Sequence, residues 1–263
     1  MTALRATRQR PALWVEAGAV FSWLLLAVAM GEGRGDASGG SGSFWGEGPL
    51  WICTTGLTHV ATAGHGGEGP TLQVAALATG APILGLMTAA MMLPTAMPVV
   101  KHVAVNSLYW RRQRATLEFL CGYLGIWLGF TALVLLPLSA AVPATGVTLA
   151  VALTIAAAWQ LTPLKWRALR ACHRPSPLPA HGWRATAGAV RFGLRNGAAC
   201  VASCWAMMAA VALVSSSMLV WMAAVTAIVT LEKLSQKPRQ TARRVALPLV
   251  AAAIGVALAT VVG

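Results

Sequence analysis

Long apolar stretches dominate the chain, at approximately 12–30, 72–99, 116–136, 146–163, 196–214, 217–232 and 245–262. A helix needs about 20 mostly apolar residues to cross a hydrocarbon core ~30 Å thick at ~1.5 Å rise per residue, and these stretches approach that length. Lipid offers no water to backbone N–H and C=O groups, so a spanning segment must pair them internally, which selects the helix. The pattern predicts an all-α, polytopic transmembrane bundle of about seven spans, a single membrane domain over residues 1–263. Composition agrees. The 263 residues are 57% hydrophobic and 10% charged, where a soluble domain carries about 25% charge. Only Ser215 and Ser216 separate the fifth and sixth stretches, which predicts a tight helical hairpin.

The formal charge is +13, which in a soluble chain would raise nucleic acid as a partner. Its distribution points elsewhere. Every Lys and Arg except Arg34 falls between apolar blocks on one predicted side: Arg5 to Arg10, Lys101 to Arg114, Lys165 to Arg195, and Lys233 to Arg244. Basic residues near span ends stay in the cytoplasm, so the N-terminus is expected inside, the 31–71 loop outside and the C-terminus outside. The partner implied is the lipid bilayer of the cell membrane, crossed several times, and not nucleic acid. Residues 1–29 also have the make-up of a secretory signal, with Ala27-Val28-Ala29 as a small-x-small cleavage site; retention as the first span is expected. Glu16 within that span requires a partner or the inner headgroup region. The Gly- and Ser-rich part of the 31–71 loop is expected to be flexible, and Pro175, Pro177 and Pro179 predict an extended cytoplasmic turn.

No Gly-rich phosphate loop, paired carboxylates or His-Glu-x-x-His helix is present, so no catalytic residue is assigned and a non-enzymatic role is expected. Sulfur stands out instead, with 10 Met and 5 Cys. Met87 and Met91 lie four apart and share a helical face, with Met92 beside them, in a segment carrying Pro94 and Pro98. Cys200 and Cys204 repeat the spacing, with Met207 and Met208 following on the same stripe, and so do Met218 and Met222. Soft thiolate and thioether donors select Cu(I) over hard cations. Methionine also fills gaps in apolar packing, so each stripe has a purely structural reading too. Cys53, His59 and His65 form a second, outer set of copper or zinc donors that matches no standard zinc spacing. Glu232 is expected to pair with Lys165 or with an arginine of the same face.

Three blocks carry a family likeness: Ala90-Met91-Met92-Leu93-Pro94 with Pro98; Trp159-Gln160-Leu161-Thr162-Pro163-Leu164-Lys165 through Leu169 and Cys172; and Gly193 to Lys233 with Cys200, Cys204-Trp205, Met207, Met218, Trp221-Met222 and Glu232. On these the chain resembles a domain-of-unknown-function family of metal-binding integral membrane proteins, copper chaperone-like. The chain departs from the family pattern at Ala168 and Ser203, where cysteines are usual. The resemblance implies copper handling, with Cu(I) held by Met91, Met92, Cys200, Cys204, Met207 and Met222. Met87, Met218, Cys53, His59 and His65 are the weaker candidates. The expected role is to assist delivery of copper to a membrane or outer-face cuproprotein. The alternatives are an accessory subunit of a larger membrane complex, such as a copper-dependent monooxygenase or oxidase, and a copper permease.

Overall fold

The computed structural model describes residues 11–32, 70–174, 179, 181–214, 218–235 and 238–262. These form α1 (Pro11–Glu32), α2 (Pro70–Asn106), α3 (Arg112–Phe130), α4 (Leu136–Ala141), α5 (Gly146–Leu161), α6 (Pro163–Cys172), α7 (Gly182–Ala212), α8 (Met218–Leu234) and α9 (Pro238–Val262). A 3-10 turn at Tyr109–Arg111 enters α3, and a π-helical turn at Thr131–Leu135 joins it to α4. No strand occurs among the described residues. The described part of each expected span is almost wholly helical, the fourth being broken at Thr162, which supports the all-α reading.

By length and composition, four segments among the described residues can cross a membrane: Gly85–Asn106, Tyr109–Ser139, Gly182–Ala212 and Arg239–Thr260. A fifth is added if α5 and α6, bent by 71° at Thr162, count as one span. Leu13–Val28 of α1 is apolar but shorter, and α8 has 17 residues.

Two features of the polar stretches correct the sequence reading. The basic stretch 165–195, expected as a cytoplasmic loop, is largely helical: α7 starts at Gly182, not near residue 196. Its first half is amphipathic, burying Ala185, Ala189, Phe192 and Asn196 while Arg184, Arg191 and Arg195 stay exposed. Lys165, expected at that same surface, is completely buried. The cause is local. Pro163 disfavours helix at Thr162, which is extended (φ −74°, ψ 144°) and caps α6 by accepting from the Lys165 N–H at 3.3 Å. The resulting turn carries Lys165 into the bundle rather than out of it. Elsewhere, α2 runs unbroken through Pro94 and Pro98 to Asn106, and the ends of the expected 31–71 loop are helical at Glu32 and Pro70. The turn at Pro175 and Pro177, the connection through Ser215 and Ser216, and Cys53, His59 and His65 lie outside the described residues.

Packing centres on α7. Its closest neighbour is α3, and α5, α6 and α8 also pack on it, while α2 contacts both α3 and α8. Glycines permit the α3–α7 approach: a Cβ on Gly193 would collide with the Phe119 carbonyl, and one on Gly197 would lie 3.0 Å from that of Tyr123. Small residues at such crossings let backbones approach. Here they place Tyr123 directly against Cys200.

Candidate metal centre

The i, i+4 spacing puts Cys200 and Cys204 one turn apart on the buried face of α7, and both are essentially inaccessible. The Cys204 thiol donates to the Cys200 carbonyl at 3.1 Å, and the Ser203 hydroxyl donates to the same oxygen at 2.7 Å. From α3, the Tyr123 hydroxyl donates to Cys200 Sγ at 3.2 Å. It also lies 3.0 Å from Thr95 Oγ1 on α2. From α8, Lys233 Nζ donates to the Thr95 carbonyl and hydroxyl, each at 3.2 Å, and to the Tyr123 hydroxyl at 3.4 Å. Four helices thus meet at Cys200 through a connected set of polar groups.

A second polar group lies beside it. Lys165 Nζ sits 2.8 Å and 3.0 Å from the two oxygens of Glu232, as the sequence pairing anticipates. Both side chains are buried. An ionisable pair at this depth is expensive unless each charge is matched, and here it is. On the Cys204 side, Gln160 Nε2 of α5 donates to Met207 Sδ at 3.4 Å, while Gln160 Oε1, also buried, has no partner.

Met87, Met91, Met92, Met207 and Met222 are buried in the same apolar core as the cysteines. Of these, Met207 alone has a hydrogen-bond donor on its sulfur among the described residues. The side chain of Met218 is not among those described. Met97 lines a separate cavity of about 950 Å³ between α1, α2 and α8, together with Pro94, Pro98 and the exposed Glu16–Lys101 ion pair (3.7 Å). Glu16 therefore has the partner its position demands. Among the described residues no three His, Cys, Asp or Glu side chains converge as a metal-binding group. The two buried thiols are soft donors, of a kind that suits a soft cation and not a hard one.

Sequence reasoning did not foresee Tyr123, Thr95, Lys233 or Gln160 as neighbours of the sulfurs. Their signal was present as polar residues within or at the ends of apolar stretches, which mark functional positions in membrane helices. Glu118, by contrast, is a surface anchor, held by Arg114 at 2.8 Å, Arg111 at 3.2 Å and the Thr186 hydroxyl at 2.9 Å.

A family model described as PpoB2, copper chaperone, matches residues 84–257. The matched region holds every residue of the Cys200 cluster and excludes Cys53, His59 and His65. No curated protein and no solved structure matches the chain.

Proposed function

Because the chain belongs to the PpoB2 copper chaperone family, we propose that it is a multi-pass protein of the cell membrane that carries Cu(I) as cargo and assists its delivery to a membrane or outer-face cuproprotein. Cys200 and Cys204 are the primary ligands. Met207, one turn further along α7, is the nearest thioether in sequence, and Met91 and Met92 of α2 and Met222 of α8 supply thioethers from the same apolar core. The reading includes seven spans in one membrane domain, with the N-terminus inside and the C-terminus outside. The observation that carries it is the pair of buried thiols on one helical face, fixed by groups from α2, α3 and α8. Copper is the cargo, so the residues' task is to hold and release it, and no catalytic step is assigned.

The test is metal content by mass spectrometry on detergent-purified, reduced protein. About one copper per chain is expected on the two-thiol reading, with near-complete loss in the Cys200→Ser/Cys204→Ser variant. Copper retained in the double variant would overturn the assignment.

A second reading, an accessory subunit of a larger copper-dependent membrane complex, draws on α9. Its Leu247, Val250, Ile254 and Leu258 face outward and suit lipid or a partner helix. Stoichiometric partners co-purifying with a copper-free chain would favour that reading.

A further inference from the structure

Lys233 presents a problem of charge. Its ammonium is buried, with the oxygens of Thr95 and Tyr123 and the Cys200 thiol as its hydrogen-bond partners, and among the described residues it forms no ion pair with a carboxylate. The carboxylates that form ion pairs among the described residues are taken elsewhere: Glu232 by Lys165, Glu118 by Arg111 and Arg114, and Glu16 by Lys101. An ammonium buried without an anion is costly. A positive charge is also the wrong neighbour for a site meant to attract a bare cation. Both difficulties disappear if the species bound is an anion.

The groups in electrostatic reach of Lys233 include Cys200, Cys172 and Tyr123, and Cys204 also feels Lys233. A thiol gives up its proton to water when it ligates a metal. Two cysteine thiols binding one Cu(I) therefore release two protons and form a bis-thiolate complex of net charge −1. With a divalent ion the same two thiolates make a neutral complex. Lys165 does not enter this balance, because Glu232 already neutralises it.

We propose that Lys233 is the fixed counter-ion of the Cys200–Cys204 metal complex, and that it makes the site selective for univalent soft cations over divalent ones. With Cu(I) or Ag(I), Lys233 brings the centre to zero charge; with Zn(II) or Cd(II), the ammonium is left buried and uncompensated. Lys233 is a specificity-determining residue that touches no metal. The Thr95 and Tyr123 oxygens hold its ammonium on the thiol side of α8. The inference rests on the reading that the two cysteines hold copper.

The experiment uses the full chain in mild detergent, with Ag(I) as a redox-stable univalent probe and Cd(II) as a soft divalent one, each titrated against a competing chelator. Lys233→Met and Lys233→Gln should each lower the Ag(I) affinity relative to that for Cd(II) by about tenfold or more, and Lys233→Arg should keep the wild-type ratio. An unchanged ratio in a monodisperse, charge-removing variant overturns the proposal. If neither such variant folds, the wild-type chain decides: its preference for Ag(I) over Cd(II) must exceed that of free dithiothreitol, and a preference no greater overturns the proposal. The two readings fail separately. Wild-type chain that binds no Ag(I) or Cu(I) through its cysteines removes the copper assignment itself, and cysteine-dependent binding indifferent to Lys233 removes only the counter-ion.

Discussion

Helices α2 and α7 both carry sulfur at four-residue spacing, Met87 and Met91 on one, Cys200 and Cys204 on the other, and their surroundings differ. On α2, the sulfurs of Met87, Met91 and Met92 lie in the apolar core, with no hydrogen-bond donor among the described residues. On α7, Cys200 receives the Tyr123 hydroxyl, Cys204 is tied to the Cys200 carbonyl, and Met207 receives the Gln160 amide. Helical spacing aligns side chains on a face and nothing more. Polar groups converging from other helices set the proposed primary ligands apart from thioethers that lie in apolar packing.

That contrast is open to attack by substitution, and the largest stability effect should come from the ion pair that borders the α7 centre. Glu232→Gln leaves Lys165 buried without its anion, and is expected to cost about 3–5 kcal/mol; thermal unfolding in detergent would register it as a large fall in Tm. A fall no greater than that of an exposed control such as Glu16→Gln would mean the pair is not buried as described.

Gly193→Ala sharpens the comparison from the packing side. A methyl group there meets the Phe119 carbonyl, forcing α3 from α7 and Tyr123 from Cys200. Overpacking of this kind costs about 1–3 kcal/mol, and copper affinity should fall with stability. Unchanged affinity would show that Tyr123 is dispensable to the thiols.

The smallest effect is expected on α2. Replacing both Met91 and Met92 by Leu conserves volume closely and should cost less than about 1.5 kcal/mol per site. Copper stoichiometry should survive, with affinity reduced far less than by loss of the cysteines. If the Met91→Leu/Met92→Leu variant loses copper as completely as the cysteine double variant, the distinction between the two stripes is wrong and α2 is a full partner in the site.

Hydropathy made the helices legible because an apolar run in lipid has few alternatives, and the described part of each predicted span is almost wholly helical, the fourth broken at Thr162. Boundaries were read less well where helices continue beyond the apolar stretch. The start of α7 at Gly182 was hidden by Arg184, Arg191 and Arg195, which lower mean hydropathy without opposing a helix. The individual thiols were legible from spacing. Their environment was not, since Tyr123 lies 77 positions from Cys200 and Thr95 lies 138 from Lys233, separations that no local pattern encodes. Lys165 pairs with Glu232 as its sequence position anticipates, but its burial was not legible, since it needs the Thr162-Pro163 turn and Glu232, 67 positions on, to carry it inside. The glycines that bring α3 onto α7 were visible, but their role needs both helices to be seen together.

The most direct test of the central claim is X-ray absorption at the copper edge on the full-length chain loaded with Cu(I). A first shell made only of sulfur, abolished in Cys200→Ser/Cys204→Ser, is the result expected. A shell containing nitrogen that persists in the double variant would contradict it and move the copper to histidines such as His59 and His65.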